Sequence, residues 1–204
     1  NLTLLAKNQS GYKNLIKLIS KSQILGKTTG IPVVESEWLL EHSEGLIALS
    51  GGFRGHVGKA ILDANHDLFL KRIKYFQKIF EEDFVLEISR INRPQEDLYN
   101  DYILSKAGEL GLPVIASNEV RFINKEDFEA HETRVCIQNG EVLSDSKRKR
   151  NYYEDQYFLS PEEMYEKFKD IPEVTSNAYE ISKKCNLEIE TGIYILPDFE
   201  LSLI

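Results

Sequence analysis

The sequence predicts an α/β fold, because short apolar segments alternate along the chain with longer segments of helical periodicity. Four apolar runs are typical of buried strands: residues 2–6, 45–50, 84–88 and 114–116. Strands that alternate with helices are usually parallel and joined by right-handed crossovers. We therefore expect four parallel strands, arranged either as half of a barrel or as one open sheet.

The first two strands are each followed by predicted helices. Ser10 is the expected N-cap of the first helix. The second strand closes at Gly51 and Gly52, and a short helix is expected near residues 58–64, followed by a longer one over residues 67–80. The apolar positions that recur at helical spacing are Leu15, Ile16, Leu18 and Ile19 in the first helix and Phe69, Ile73, Phe76 and Phe80 in the long one.

The second half of the chain continues the pattern. After the third strand, Pro94 stands where a helix would start and Gly111 where it would stop. The fourth strand precedes a helix over about residues 125–138 and a long polar connection. Ser160 and Glu163 have the spacing of a capping box. A last helix is expected over residues 171–185, with an extended tail over residues 194–204.

The composition fits an ordinary water-soluble domain. The chain has 204 residues, of which 42% are hydrophobic and 28% charged, with a net charge of -8. Its apolar runs fall short of the roughly 20 residues that a membrane span needs, and no signal peptide is recognisable. Two cysteines make no disulfide framework, so a reducing cytoplasm is expected. Because the domain is acidic, most of any affinity for DNA would come from neighbouring parts of the protein.

The fourth strand ends in a group of polar residues. Asn118, Glu119 and Arg121 follow the apolar run directly, and ligands of α/β folds bind at the carboxyl ends of strands. Two interpretations stay open. These side chains contact a phosphate or an ion, or they form a strand-end salt bridge between Glu119 and Arg121 with no ligand.

Several strings of the sequence, in matching order and spacing, resemble one family. It is the PHP (polymerase and histidinol phosphatase) domain at the front of the bacterial DNA polymerase III alpha subunit. The strings are residues 2–8 (LTLLAKN), 11–15 (GYKNL), 44–52 (EGLIALSGG), 112–122 (LPVIASNEVRF), 128–137 (FEAHETRVCI), 157–164 (YFLSPEEM), 177–186 (NAYEISKKCN) and 196–199 (LPDF).

The resemblance implies a particular architecture. PHP domains of this family are seven-stranded (β/α) barrels of the TIM type, followed by the polymerase thumb. The chain is then expected to be a partial barrel that lacks the N-terminal strands, with C-terminal helices leading toward the thumb. On this interpretation residues 1–170 are the later part of the PHP domain, and residues 171–204 are its exit and linker.

The resemblance also implies that a metal site has been lost. Family members with an intact site carry histidines at positions that correspond here to Asn1, Ile91 and Arg121. An arginine is always protonated and offers no lone pair, and an isoleucine offers no ligand atom. We therefore expect a degenerate cleft with possible phosphate or ion contacts and neither a catalytic nor a metal-ligating residue. Its residues are Asn1, Arg90, Arg93, Asn118, Glu119 and Arg121.

Other polar features admit two interpretations each. His131, which matches the family, is expected to bind a neighbouring backbone group or carboxylate, with a metal-ligand role as the alternative. His56 follows a glycine-rich turn that either is only a turn or cradles an anion. The basic run at residues 147–150 is either a solvated loop or a neighbour of DNA or of a partner.

The function that the resemblance implies is that of a scaffold. The parent protein would be a DNA-directed DNA polymerase using Mg²⁺ held elsewhere, and this segment would need no cofactor. Expected partners are the proofreading exonuclease subunit, other subunits of the holoenzyme, and DNA through the rest of the chain, with no membrane. The alternatives are an active metal-dependent phosphoesterase (a 3′-5′ exonuclease or pyrophosphatase) and a relative of histidinol phosphatase.

Overall fold

A computed structural model describes residues 1–26, 30–192 and 194. Within them lie four strands, β1 (Thr3–Ala6), β2 (Leu46–Leu49), β3 (Phe84–Ile88) and β4 (Val114–Ala116). The same residues form eight α-helices: α1 (Gln9–Ile24), α2 (Ser36–Glu41), α3 (His56–Leu62), α4 (His66–Phe80), α5 (Glu96–Leu110), α6 (Phe128–Asn139), α7 (Pro161–Lys167) and α8 (Pro172–Lys184). The predicted tail beyond Tyr194, including the family-like string at residues 196–199, lies outside the described residues.

The four strands form one mixed sheet in the order β1-β2-β3-β4. The pairs β2–β3 and β3–β4 are parallel, as predicted, but β1 is antiparallel to β2, with Ala6 opposite Leu46. The prediction of four parallel strands was therefore wrong at β1. Two helices, α1 and α2, separate β1 from β2, and together they return the chain to the end of the sheet that it left. A single-helix crossover would have carried it to the opposite end.

Most predicted boundaries agree with the structure to within two or three residues. Gly111 ends α5 in the left-handed conformation, and Ser160 and Glu163 form the predicted capping box. Two details differ. The side chain of Asn8, rather than Ser10, caps α1 by accepting a hydrogen bond from the Gly11 N–H at 3.0 Å. Helix α6 begins only at Phe128, because a short 3₁₀ turn precedes it.

The sheet buries both of its faces, because successive side chains of a strand point to opposite sides. On one face Ala48, Leu86 and Val114 join the main core with the helices α3, α4 and α5. On the other face Ile47, Val85 and Ile115 form a smaller cluster that Ile181 of α8 covers. The Asn177 side chain anchors α8 to β4 by donating to the Val114 carbonyl at 2.9 Å.

No helix within residues 1–26, 30–192 and 194 combines the length and the apolar character needed to cross a bilayer.

Candidate functional site

A cleft of about 300 Å³ opens where β2, β3 and β4 end and β1 begins. Because β1 is antiparallel, its amino end meets the carboxyl ends of the other three strands. The cleft is lined by Asn1, Thr3, Gly51, Gly52, Arg54, Glu87, Ser117, Glu119, Val120 and Arg121. It therefore joins two carboxylates and two guanidinium groups at the end of the sheet where ligands of α/β folds bind.

The period-two geometry of a strand explains part of this lining. Leu5, Val85 and Ile115 belong to the face of the small apolar cluster. Extending each strand by two residues on that face leads to Thr3, Glu87 and Ser117. The cleft is thus the polar continuation of the smaller face of the sheet.

Glu87 was not among the predicted site residues. Its carboxylate is buried and accepts a hydrogen bond from the Gly51 N–H at 2.7 Å. Burial raises the pKa of the Glu87 carboxyl above its ordinary value, and the bonds from Gly51 and from the Ser117 side chain offset this only in part. The available signal was a lone carboxylate inside the otherwise apolar strand Phe84–Ile88.

Gly51, whose N–H donates to Glu87, occupies a position that has no room for a side chain. It adopts a φ of 78°, and a Cβ placed there would lie 2.7 Å from the Asn1 carbonyl oxygen. A glycine is therefore required at this turn, both for the left-handed backbone and for the contact with the amino end of β1.

The second carboxylate of the cleft, Glu119, is paired with an arginine from the loop after β3. Arg93 Nη2 lies 2.7 Å from Glu119 Oε2. The Arg93 side chain is only 3% exposed and that of Glu119 19%. The Arg93 guanidinium also lies over the rings of Phe53, at 4.6 Å, and Tyr153, at 5.7 Å. Aromatic faces attract cations and offset part of the cost of burying one.

The predicted strand-end salt bridge therefore exists, but with a different partner. We considered Arg121 as the cation that pairs with Glu119, and in the structure Arg93 takes this place. Arg121 lines the cleft and lies over the Tyr152 ring at 5.7 Å. Its guanidinium thus faces the space that a ligand would enter.

The loop that carries Tyr152 and Tyr153 is fastened to the end of β4 by the buried Gln156. The Gln156 amide donates to the Glu119 carbonyl at 3.0 Å, and its side-chain oxygen accepts from the Tyr153 N–H at 3.0 Å. The Gln156 carbonyl accepts from the Arg121 N–H at 2.8 Å. This loop and the end of β4 therefore form one hydrogen-bonded unit.

Two of the predicted cleft residues lie elsewhere. Asn118 is buried and donates to the carbonyls of Asp155 and Tyr157, at 2.9 and 2.7 Å. Arg90 forms a two-pronged ion pair with Asp170, at 2.6 and 2.7 Å. Of the six predicted residues, Asn1, Glu119 and Arg121 line the cleft, and Arg93 is joined to it through Glu119.

His131 also departs from its prediction. Its ring packs against Phe122 and Tyr152, with ring centroids 5.5 and 4.6 Å apart. Within the described residues its Nε2 is buried without a hydrogen-bond partner. Burial lowers the pKa of the His131 imidazole, which favours the neutral ring. The expected bond to a backbone group or a carboxylate is therefore not made by this nitrogen, because the ring belongs to an aromatic cluster.

The basic run at residues 147–150 is divided between interior and solvent. The Arg148 side chain is buried, and its Nη1 pairs with Glu132 Oε2 at 2.6 Å. Lys147, Lys149 and Arg150 are exposed. Arg148 therefore anchors the loop, and three cations stay accessible.

The side chains that line the cleft offer two carboxylates and no imidazole to a metal ion. No group of three or more His, Cys, Asp or Glu side chains in the described part of the chain is arranged to hold one. The two carboxylates are already engaged, Glu87 by the Gly51 N–H and Glu119 by Arg93. Ile91, one of the positions at which the resemblance implies a lost histidine, is fully buried.

Comparison with known proteins finds a match to one family model over part of the chain. Residues 1–91 match the family model described as the PHP domain. This match covers β1, β2 and β3 and six of the ten residues that line the cleft.

Comparison with curated proteins finds bacterial DNA polymerase III alpha subunits among the relatives of the chain. The chain is 48% identical over 97% of its length to "DNA polymerase III subunit alpha" of Vibrio cholerae, and 45% identical over 98% of its length to that of Escherichia coli. The identity to the Pseudomonas aeruginosa subunit is 43% over 97% of the chain. The resemblance to the PHP region of these alpha subunits is therefore confirmed. The chain spans 17% of the length of each of these relatives.

Proposed function

We propose that this chain is the PHP segment of a bacterial replicative DNA polymerase. The parent protein would extend a primer on DNA with Mg²⁺ held outside this segment, in the cytoplasm. The observation that carries the proposal is an identity of 42–48% to alpha subunits that extends over nearly the whole chain. The test is primer extension by the full-length protein that contains these residues. Absence of template-directed extension with all four deoxynucleotides and Mg²⁺ would contradict the proposal.

We further propose that the sheet is part of a PHP barrel. One face carries the large helical core, as the outer face of a barrel wall does, and the other a small apolar cluster that ends in the cleft. Strand β1 lies at an edge of the sheet, where a further strand can pair. The assignment of residues 1–170 to the domain and of residues 171–204 to its exit toward the thumb is part of this proposal. Helix α8 nevertheless packs on β4, so the exit begins as a layer of the domain.

Within the parent, the cleft is proposed to be a degenerate active site. Arg54 and Arg121 line it, Arg93 is bound to Glu119 beside it, and guanidinium groups repel cations and bind phosphates or carboxylates. No residue of the cleft lining, as far as the structure describes the chain, is a histidine. The cleft is therefore suited to an anion contact and to holding the strand ends together.

The alternative function, a metal-dependent phosphoesterase, has one observation in its favour, since Glu87 and Glu119 both line the cleft. An activity assay distinguishes a degenerate site from an active phosphoesterase. It measures whether the full-length protein, with Mn²⁺ or Zn²⁺, hydrolyses a phosphomonoester or removes nucleotides from a DNA 3′ end. We expect no turnover above that of a Glu87→Gln, Glu119→Gln protein. Turnover that both substitutions abolish would establish the alternative.

We also propose that this region is a docking scaffold for the proofreading exonuclease and, through it, for other holoenzyme subunits. A candidate contact is the pair Ile123 and Phe158, which are 72% and 70% exposed and joined by a backbone hydrogen bond of 3.2 Å. Large apolar side chains at the centre of an interface carry much of its affinity.

The docking proposal is tested with full-length protein carrying Ile123→Ser and Phe158→Ser. We expect its affinity for the exonuclease subunit to fall at least about tenfold, while Ile19→Ser on α1, also exposed, leaves it unchanged. If the protein carrying Ile123→Ser and Phe158→Ser binds the exonuclease subunit as tightly as the control does, this patch is not part of the interface. If no substitution in a scan of the exposed residues changes the affinity, the scaffold role is refuted.

A further inference from the structure

We propose that Arg93 is the resident cation of the cleft: its guanidinium, rather than a diffusible ion, neutralises Glu119 and fixes the loop of residues 151–157 over the end of the sheet. Arg93 is a positioning residue on this view. It acts through its contacts with Glu119, which lines the cleft, and with Tyr153, which belongs to the loop of residues 151–157.

The first support is the way in which the charge is buried. Arg93 is 3% exposed and its one ion-pair partner in the described structure is Glu119. Its Nε and Nη1 atoms are buried and have no hydrogen-bond acceptor among the described residues. The compensation for burial therefore comes from one carboxylate and two aromatic faces, those of Phe53 and Tyr153. A buried charge with a single partner depends strongly on that partner.

The second support is that the contacts close a ring. Arg93 binds the Glu119 carboxylate, the Glu119 carbonyl accepts from Gln156, and Gln156 accepts from the N–H of Tyr153. The Tyr153 ring in turn lies over Arg93. Three segments that are distant in sequence are therefore joined through one guanidinium: the loop after β3, the end of β4 and the loop of residues 151–157.

The third support is the strained backbone of Glu119 and of the residues on either side of Arg93. Asn92, Gln95 and Glu119 all have positive φ, of 61°, 64° and 45°. Side chains other than glycine adopt this region at a cost, and such strain persists where surrounding contacts enforce it. The Arg93–Glu119 pair lies between these strained residues and supplies the contact that holds both loops.

The role as a cation follows from electrostatics. A guanidinium fixed 2.7 Å from a carboxylate neutralises it and repels any divalent ion that approaches. Glu119 is thus satisfied by the chain itself. The integrity of the strand ends should then be independent of added or chelated metal.

The experiment measures amide hydrogen exchange in the full-length protein. In Arg93→Met, which keeps the stem and removes the charge, exchange of residues 117–122 and 151–157 should rise roughly 100-fold. Arg93→Lys, which keeps the charge but not the planar contact with the rings, should give an intermediate rise. The matched control is Arg90→Met, which removes an arginine three residues away and should leave both segments unchanged.

Two further arms distinguish a resident cation from a side chain that only fills space. In the double variant Arg93→Met, Glu119→Gln, exchange should be slower than in Arg93→Met alone, because no unpaired carboxylate remains. Chelation with EDTA should leave the wild-type protein unchanged in both segments. Equal exchange in the single and double variants, or opening of both segments by EDTA, would overturn the proposal. The double variant keeps the test valid if Arg93→Met alone does not fold.

Discussion

Two arginines of one loop, Arg90 and Arg93, form ion pairs with opposite characters. Arg93 is buried, stacks on two rings and pairs with Glu119 at the cleft. Arg90 is 31% exposed and pairs with Asp170, whose side chain is 56% exposed. Both pairs join distant parts of the chain at nearly equal distance, 2.7 and 2.6 Å. The Arg90 pair is two-pronged and the Arg93 pair is a single contact, but the larger difference between them is solvent exposure.

The comparison shows why only one of the two pairs belongs to the candidate site. At the exposed pair, water solvates either partner if the other is lost, so little depends on the bond. At the buried pair, loss of one partner leaves a charge without water or a counter-ion. The cleft thus contains an interaction whose removal is costly, and the corner of α7 and α8 contains one whose removal is not.

Among substitutions that distinguish the buried ion pair from the exposed one, Glu119→Gln is expected to have the largest effect on local stability. This change leaves Arg93 buried beside a neutral amide, and we expect the free energy of local opening at residues 117–122 to fall by about 3 kcal/mol. Hydrogen exchange of those residues in the full-length protein measures it. Asp170→Asn is the matched carboxylate-to-amide control, and equal opening in the two variants would refute the distinction.

The same two arginines show what the sequence is able to predict. Both were expected in the cleft, because they follow β3 on either side of Ile91. Local pattern located the strand end correctly, but it does not determine which way each side chain turns. That depends on Asp170 and Glu119, which lie 80 and 26 residues further along the chain.

The strands themselves were predictable for a local reason. Each is a short apolar run, and Glu119 and Arg121 were placed at the end of β4 from their neighbours in sequence, whereas Asn1 was expected from the resemblance. The direction of β1 was missed, because it depends on the combined path of α1 and α2. Glu87 was missed as well, since its role depends on its contact with Gly51 on the neighbouring chain segment.

Glu87 differs from both pairs, because it is a buried carboxylate that forms no salt bridge with an arginine among the described residues. Burial raises the pKa of the Glu87 carboxyl above 4.5, its value when exposed. The folded state therefore binds this proton more tightly than the unfolded state, so stability is favoured at low pH and decreases as the pH rises through the folded-state pKa.

Glu87→Gln removes this penalty and keeps an oxygen that accepts from the Gly51 N–H. We expect the variant to be modestly more stable than the wild type at about pH 8 and equal to it below about pH 4. Thermal unfolding of both full-length proteins across that range measures the difference. A variant that is less stable at about pH 8 would show that the charged form of Glu87 is needed, as it would be if the cleft held a cation.

The smallest effect is expected at the exposed pair. The hydrogen bonds from Arg90 lower the pKa of the Asp170 carboxyl to about 2, from 3.8. A depressed pKa contributes stability that is present above 3.8 and is lost as the pH falls through about 2. Asp170→Asn should therefore lower the thermal midpoint slightly and by a constant amount above about pH 4, and the difference should shrink toward zero in stronger acid. Added salt should reduce it further, because exposed charges are screened. A salt-independent effect as large as that of Glu119→Gln would show that the corner of α7 and α8 is as tightly held as the cleft.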